Sequence, residues 1–251
     1  MSNFSIVIPS RNATNLAACV GAIRAAAETC RIIVVDDGVQ SPFLNFGQSE
    51  VIAGVKPFCF ARNVNLGVQA AGKDDVVILN DDSLLETERG FTLMARVSRA
   101  YPDVGLIAAA CDQVGNPNQF KRSDSLLRPE PRMVCFVCVY IPRRTINIVG
   151  LLDERFVGYG LDDDDYSFRV RKAGLKLGIF DGCYVDHGSL PSSYRAPSAT
   201  NQGQCSFMPN MQRFIEKWGT DNWEKDREHS QFAYLFPEPV LSKDMLKRGC
   251  R

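Results

Sequence analysis

The stretch Val76-Val77-Ile78-Leu79-Asn80-Asp81-Asp82 joins an apolar segment directly to two adjacent carboxylates. A strand with no polar alternation is typical of a parallel sheet that is covered on both faces. Ligands of such sheets bind at the carboxyl ends of the strands, where Asp81 and Asp82 are expected. Carboxylate oxygens there suit Mg or Mn, but Asn and Asp are also common in plain turns and helix caps. The stretch therefore predicts a buried parallel strand that ends in either a cation site or a turn.

A second apolar segment, Arg31-Ile32-Ile33-Val34-Val35-Asp36-Asp37-Gly38, ends in the same way. Asp-Gly is a common turn, but a carboxylate at a strand end can also accept hydrogen bonds from ribose hydroxyls or a base imide. The repeated pattern favours a nucleotide-binding edge. The chain contains neither a Gly-x-Gly-x-x-Gly fingerprint nor a Gly-x-x-x-x-Gly-Lys loop, which argues against dinucleotide enzymes and P-loop phosphotransferases.

Apolar and helical segments alternate along the rest of the chain. Further strands are predicted at 5–9, 55–59, 104–111, 133–141 and 177–180, and helices at about 15–27, 63–71, 92–101 and 166–174. Buried strands that alternate with helices predict an α/β fold with a central, mostly parallel, Rossmann-like sheet and flanking helices. The polar segment 112–132 is long enough to be a flap over a site.

Length and composition favour one large domain. The 251 residues, 45% of them hydrophobic, suffice for one core, which we place at 1–219 with a C-terminal extension at 220–251. The 29 basic and 29 acidic residues balance, so no overall field favours nucleic acid or a membrane surface. We expect no transmembrane segment and a soluble, cytoplasmic protein, because no 18-residue apolar run or signal-peptide pattern is present. The nine cysteines are expected to be reduced.

A run of four acids, Asp162 to Asp165, precedes a helical segment that carries basic residues late and ends near Gly174. Capping and the helix dipole account for one or two of these acids, each contributing about 0.3–1 kcal/mol. Four like charges at one helix end repel one another, so a cation, Arg169 or a proton-transfer task is expected to use the others.

The chain has only two histidines, His187 and His229. A single histidine is commonly a hydrogen-bonded structural residue. His187 closes an apolar segment just before Gly188-Ser189, where the loop is expected at the same edge of the sheet as the carboxylates. Because Mn tolerates imidazole, His187 is a candidate to complete a metal site with Asp82. His229 lies among charged residues and is predicted to be on the surface.

The order and spacing of these segments resemble the GT-A glycosyltransferases, most closely the family 2 type that uses sugar nucleotides. The likeness covers about residues 4 to 219. It rests on 6–9, 34–38, Arg62-Asn63 with Asn65-Leu66-Gly67, 79–82, 150–156, the acid run through Arg169, His187 and 214–219. It implies a nucleotide-binding first half and an acceptor-binding second half.

The resemblance also assigns roles to residues. The Asp-x-Asp metal motif of the family falls on Asn80, Asp81 and Asp82, with asparagine replacing the first acid, whose position usually faces the ribose. Asp82 and His187 are the implied metal ligands for Mn or Mg. The predicted nucleotide-binding set is Pro9, Ser10, Arg11, Asp36, Asp37, Arg62, Asn63, Asn80 and Asp81.

The acid run corresponds to the Glu-Asp-x-Asp motif of the family, with aspartate replacing glutamate. In inverting members the second acid is the usual base, which nominates Asp163. A shift of one residue would nominate Asp162 or Asp164, and the last acid of the motif, Asp165, completes the predicted catalytic set. The implied function is a metal-dependent, inverting transfer of a sugar from a nucleotide-diphosphate sugar, UDP-sugar first among them, to an acceptor hydroxyl.

Two other functions remain open from the sequence: a sugar nucleotidyltransferase, and a non-catalytic module that binds nucleotide or carbohydrate. Ser10-Arg11-Asn12-Ala13 is a poor match to the Gly-rich loop of nucleotidyltransferases. By resemblance, Asp153, Glu154 and Tyr159 line the acceptor side, with a glycan or another hydroxyl compound as acceptor. Basic residues in the 112–132 loop and at the C-terminus leave a polyanionic, nucleic-acid acceptor open.

Overall fold

The structure is a computed structural model that describes residues 4–39, 49–158, 160–193 and 202–219. Within these residues nine strands form one sheet: β1 (Phe4–Ser10), β2 (Arg31–Asp36), β3 (Ser49–Ala53), β4 (Asp75–Leu79), β5 (Leu84–Leu85), β6 (Val104–Cys111), β7 (Leu127–Pro129), β8 (Cys138–Ile141) and β9 (Lys176–Asp186). The helices are α1 (Ala13–Ala25), α2 (Phe60–Ala70), α3 (Gly90–Ala100), α4 (Arg143–Val149), α5 (Asp162–Lys172) and α6 (Gln202–Trp218). Tyr159 and the extension predicted at 220–251 lie outside the described residues.

The sheet has a parallel half and a mixed half. Its strand order is β3-β2-β1-β4-β8-β6-β9-β5, and β7 pairs with β9. The first four strands are parallel, as predicted, and β8 then runs antiparallel to both β4 and β6. The parallel pairing places the carboxyl ends of β1, β2 and β4 at one edge, because Ser10 pairs with Asp36 and Val7 with Ile78.

Both faces of β1, β2 and β4 are buried, which explains why these strands show no polar alternation. Ile6, Ile8 and Val77 face a core cluster that includes residues of α1 and α3. Val7 and Ile78 face a second cluster that includes residues of α2 and α5.

Helix α2 packs closely on β1, and Gly67 permits this approach. A Cβ on Gly67 would lie 2.2 Å from Val7 Cγ1. No side chain fits there without displacing the helix from the sheet, so the position of α2 and of the residues at its start depends on this glycine.

Two predicted strands are wrong in their bounds. Residues 55–59 form a loop, and the third strand is β3 instead. Pro57 in that loop has no N–H with which to join a ladder. The strand predicted at 133–141 is limited to β8, because side chains take the preceding N–H groups: Ser167 Oγ accepts from Val134 and Gln119 Oε1 from Cys135.

The segment 112–132, predicted as a flap, is anchored to the body of the protein. It forms β7 on β9, and Arg128 makes two hydrogen bonds of 2.8 Å to the buried Asp181. Arg122 donates to Asn118 and Lys121 pairs with Asp124. Because these basic side chains bond within the loop or to β9, they lend no support to a polyanionic acceptor.

Helix α6 is fixed by aromatic packing. The Phe168 ring lies 4.4 Å from the Trp218 ring and 6.3 Å from the Phe214 ring, both in edge-to-face arrangements. In the part of the chain that the structure describes, no helix is both long and apolar enough to cross a membrane.

Candidate active site

The two carboxylates that follow β4 have different surroundings. Asp81 is buried and accepts hydrogen bonds from Ser10 Oγ at 2.6 Å and Ser193 Oγ at 2.8 Å. Burial raises the pKa of Asp81 to about 6, against the effect of these hydroxyls and of the Arg11 N–H, which favour the charged form. Asp81 thus connects β1, β4 and the segment after β9. Sequence reasoning missed Ser193, which no motif marks.

Asp82 instead has a carboxylate oxygen that is available to a ligand. Its Oδ1 is buried, has no hydrogen-bond partner among the described residues, and lies 3.3 Å from His187 Nε2. The carbonyl of Gln113 lies 2.5 Å from His187 Nδ1 and accepts its proton, so that Nε2 is the nitrogen that faces Asp82. The Asp112 carboxylate accepts from the His187 backbone N–H at 2.7 Å. The structure therefore brings the two predicted metal ligands together.

This pair fits a divalent cation. A buried carboxylate oxygen without a partner is stabilised by positive charge, and imidazole with its other nitrogen bonded to a carbonyl is the usual form of a histidine ligand. No cluster of three or more His, Cys, Asp or Glu ligands occurs within the described ranges. Two protein ligands suit Mg or Mn, which take their remaining ligands from water and substrate phosphates.

The two acids at the end of β2 also differ in their surroundings, as Asp81 and Asp82 do. Asp36 Oδ1 accepts from the N–H groups of Gly38 and Val39 at 2.8 and 2.7 Å, and so shapes the turn. Asp37 is buried, and its Oδ1 pairs with Lys56 Nζ at 2.8 Å. Its Oδ2 is buried without a partner among the residues that the structure describes. Asp37 therefore offers one acceptor at the strand edge.

Asn63 and Arg62, at the start of α2, lie beside this edge. Asn63 is fully buried; its Oδ1 accepts from the Val55 N–H, and its Nδ2 has no partner in the described part of the chain. Arg62 Nε donates to Glu154 Oε2 at 3.2 Å. Glu154 also accepts from Asn65 Nδ2 at 3.0 Å, so α2 holds the loop that leads to the acid run.

The other predicted nucleotide-binding residues lie at the same edge. Pro9 is buried in β1 opposite Val35, and the exposed Arg11 directly follows the strand. The Asn80 backbone N–H donates to the Val137 carbonyl at 3.0 Å, which ties the end of β4 to the approach to β8.

The acid run forms the first turn of α5, so the helix begins four residues earlier than the predicted start at 166. Leu161, directly before it, has a left-handed φ of 67°, which is unfavourable for a residue with a side chain. Gly160 also has a positive φ of 102°. This sharp turn carries the chain into α5 with its acids at the helix start, where the peptide dipoles favour negative charge.

The first three acids have raised pKa values. Burial, and then repulsion from Asp163, raises the pKa of Asp162 to about 8. Desolvation raises the pKa of Asp163, although the N–H groups of Asp164 and Phe136 favour its charged form. Desolvation and the charge of Asp163 raise the pKa of Asp164. A carboxylate with a raised pKa is a stronger base, so these acids are suited to proton transfer.

The fourth acid, Asp165, is neutralised. It is fully buried, and its Oδ2 accepts from Arg169 Nε at 3.0 Å. Its Oδ1 accepts from Trp218 Nε1 at 2.9 Å and lies 2.7 Å from Lys217 Nζ. Asp165, predicted as part of the catalytic set, thus has both oxygens occupied and connects α5 to α6.

Residues 136 and 137 separate the two acidic regions. The Phe136 N–H lies near enough to the Asp163 carboxylate to favour its charged form and so to lower its pKa, and the next carbonyl, that of Val137, accepts from the Asn80 N–H. The acid run and the end of β4 therefore adjoin across two consecutive backbone residues.

Asn210 of α6, which sequence reasoning missed, fixes the turn before the acid run. It is fully buried, and its Nδ2 donates to the carbonyls of Val157 and Gly160 at 3.1 and 2.9 Å. A single polar residue in a helix with Pro209 gave no recognisable signal in the sequence.

The chain is similar to one protein family in sequence and to several solved structures in fold. The sequence profile of glycosyl transferase family 2 matches residues 5–137, which is more than half of the chain. No curated protein matches the chain by sequence.

A crystal structure of GalNAc-T7 with UDP, GalNAc and Mn²⁺ is 16% identical, with a TM-score of 0.66 over 99% of this chain and 54% of that one. A crystal structure of S. aureus TarS 1-349 is 12% identical, with a TM-score of 0.57 over 72% of this chain and 60% of that one. The chain thus spans roughly half to three fifths of these proteins, and the likeness confirms the predicted α/β fold.

Proposed function

We propose that this chain, which belongs to glycosyl transferase family 2 and has the GT-A fold, transfers a sugar from a nucleotide-diphosphate sugar to an acceptor hydroxyl. The observation that carries the proposal is the buried Asp82 Oδ1, which has no hydrogen-bond partner in the described part of the chain and lies beside His187 Nε2, at the edge where parallel strands bind ligands. An oxygen in this state is suited to a cation that accompanies a diphosphate.

The donor nucleotide is assigned to the edge formed by β1 and β2. Asp37 Oδ2 is an acceptor for a ribose hydroxyl or a base N–H, and Asn63 Nδ2 is a donor for a base carbonyl. Both atoms are buried, so leaving them without a partner costs about 1–3 kcal/mol each, which a bound nucleotide relieves. UDP is the proposed nucleotide, and the GalNAc-T7 structure was determined with UDP and Mn²⁺.

Asp82 and His187 are the residues that would hold Mn or Mg. When bound, such an ion supplies Lewis-acid stabilisation of the diphosphate that leaves the sugar. The Gln113 carbonyl keeps the proton of His187 on Nδ1. The hydroxyls of Ser10 and Ser193 donate to Asp81, so this carboxylate is not proposed as a metal ligand.

Asp163 is the proposed base. Its carboxylate takes the proton from the acceptor hydroxyl as that oxygen attacks the anomeric carbon, and the nucleoside diphosphate leaves from the opposite face. This arrangement inverts the anomeric centre. The raised pKa of Asp163 strengthens it as a base, and the Asp164 N–H donates to its Oδ1 at 3.0 Å.

The test is product analysis with a panel of nucleotide-diphosphate sugars and Mn²⁺. Release of nucleoside diphosphate, accelerated by an acceptor, is the expected result. Formation of nucleoside triphosphate and sugar 1-phosphate when pyrophosphate is added to the same panel would instead identify a nucleotidyltransferase. Binding of the nucleotide, seen as a raised Tm, with no product would identify a binding module.

A further inference from the structure

We propose that Phe207 of α6 forms a platform on which a sugar ring of the acceptor lies beside the acid run. The inference rests on the proposed function, and it names the acceptor class as a glycan or glycoside. The family match ends at residue 137 and does not reach this region, so it assigns no acceptor site here.

Phe207 is an exposed aromatic residue next to the turn that leads to the acids. Its side chain is 45% exposed, whereas the other α6 aromatics, Phe214 and Trp218, pack into the core cluster around Phe168. A Cβ on Gly160 would lie 3.3 Å from Phe207 Cδ2, so the ring lies against the backbone two residues before Asp162.

The ring is held at a fixed position relative to the acids. Phe207 and Asn210 are three residues apart on one face of α6. Asn210 bonds to the carbonyls on both sides of the turn, at Val157 and Gly160, and Arg213 Nη1 in turn donates to Asn210 Oδ1 at 2.9 Å. Val157, on the same turn, is itself 40% exposed. A displacement of this part of α6 would therefore disturb the turn that positions α5.

The polar groups beside Phe207 determine which kind of ligand fits against its ring. Asp162 and Asp163 carry polar carboxyl groups, and covering them with a hydrocarbon chain would remove water and supply no hydrogen-bond partner. A pyranose ring supplies both an apolar and a polar surface. One face presents C–H groups to the aromatic ring, and the rim presents hydroxyl groups, which donate and accept, to the carboxyl groups. An aromatic surface with a few convergent polar groups is the usual composition of such a site.

The experiment compares Phe207→Ala with Phe207→Trp and with a matched control, Met208→Ala. Met208 is 69% exposed and is the next residue of α6, about 100° around the helix, so it faces elsewhere. Binding of methyl glycosides of hexoses and N-acetylhexosamines is measured by saturation-transfer NMR without donor, and acceptor KM and kcat are measured with the active donor.

Phe207→Ala is expected to weaken glycoside binding and raise acceptor KM about tenfold, with a smaller change in kcat, because a tenfold change corresponds to about 1.4 kcal/mol of contact. Phe207→Trp restores both values and Met208→Ala leaves them unchanged. Equal effects of Phe207→Ala and Met208→Ala, or no saturation transfer to any glycoside, would overturn the platform. Absence of nucleoside diphosphate release by the unaltered protein counts against the proposed function alone, since the NMR measurement needs no turnover.

Discussion

The end of β4 and the first turn of α5 both carry adjacent aspartates, but the surroundings of these acids differ between the two regions. After β4, two serine hydroxyls satisfy Asp81, whereas Asp82 keeps one buried oxygen without a partner in the described residues. In α5 the last acid is neutralised by three donors, whereas burial raises the pKa values of the first three. Hydroxyls near the first cluster and cations near the second select which acid has a structural role.

Neighbouring acids in this protein share a location but have different roles. The end of β2 follows the first pattern, with Asp36 in the turn and Asp37 retaining an unpartnered Oδ2 among the described residues. The acid with an open oxygen is suited to a ligand, and the acid with a raised pKa is suited to a proton. Changes at single acids can therefore separate cation binding, proton transfer and stability.

The largest expected effect is on proton transfer. Asp163→Asn is expected to lower kcat about 10²- to 10⁴-fold, the usual contribution of a general base, with little change in donor KM. Steady-state kinetics with a saturating acceptor checks this value. The matched control is Asp164→Asn, in the same turn and also half-buried. If Asp164→Asn lowers kcat more than Asp163→Asn, the base is misassigned by one residue.

The next effect is on stability. Asp165→Asn leaves the charges of Arg169 and Lys217 without their buried partner, and breaking such a pair costs about 3–5 kcal/mol. We expect a lower Tm in thermal denaturation and loosening of α6. Asp153→Asn removes the other partner of Lys217 and serves as comparison. A Tm equal to that of the unaltered protein would show that Asp165 does not anchor α6.

A smaller effect is expected on cation binding. Asp82→Ala removes the open oxygen, so the Mn²⁺ concentration needed to raise the Tm in the presence of nucleoside diphosphate should increase at least about tenfold. Asp81→Asn should retain the Mn²⁺ response, since its hydroxyl partners already occupy it. Loss of the response only in Asp81→Asn would reverse the two roles.

The most gradual effect is a pH dependence of stability, which is spread over several pH units. The pKa of Asp162 is about 8 in the folded protein, above its ordinary value of 3.8, so the folded state binds this proton more tightly than the unfolded chain. That stabilisation is complete at low pH and is lost as the pH rises towards 8. Relative to Asp162→Asn, the Tm of the unaltered protein should therefore fall between pH 5 and pH 9. A constant difference across this range contradicts the raised pKa.

Much of the fold could be predicted because burial on both faces of the parallel strands leaves a local signal. The apolar runs of β1, β2 and β4 gave their positions and direction, and the family match and the similar structures confirm the architecture. Prediction failed where distant side chains took backbone hydrogen bonds, as Ser167 and Gln119 do before β8. Such partners lie far away in sequence, so no local pattern reveals them.

The sequence by itself determined the residue types at the site and their places in the chain: paired acids after apolar strands, four acids at a helix start and one histidine after β9. Only the tertiary structure decided the state of each. It brought His187 to 3.3 Å from Asp82, connected Asp165 to Lys217 and Trp218, and placed Asn210 under the turn before α5. The reason is physical: the environment of an ionisable group is set by residues that become neighbours only when the chain folds, and that environment fixes charge, pKa and availability to a ligand.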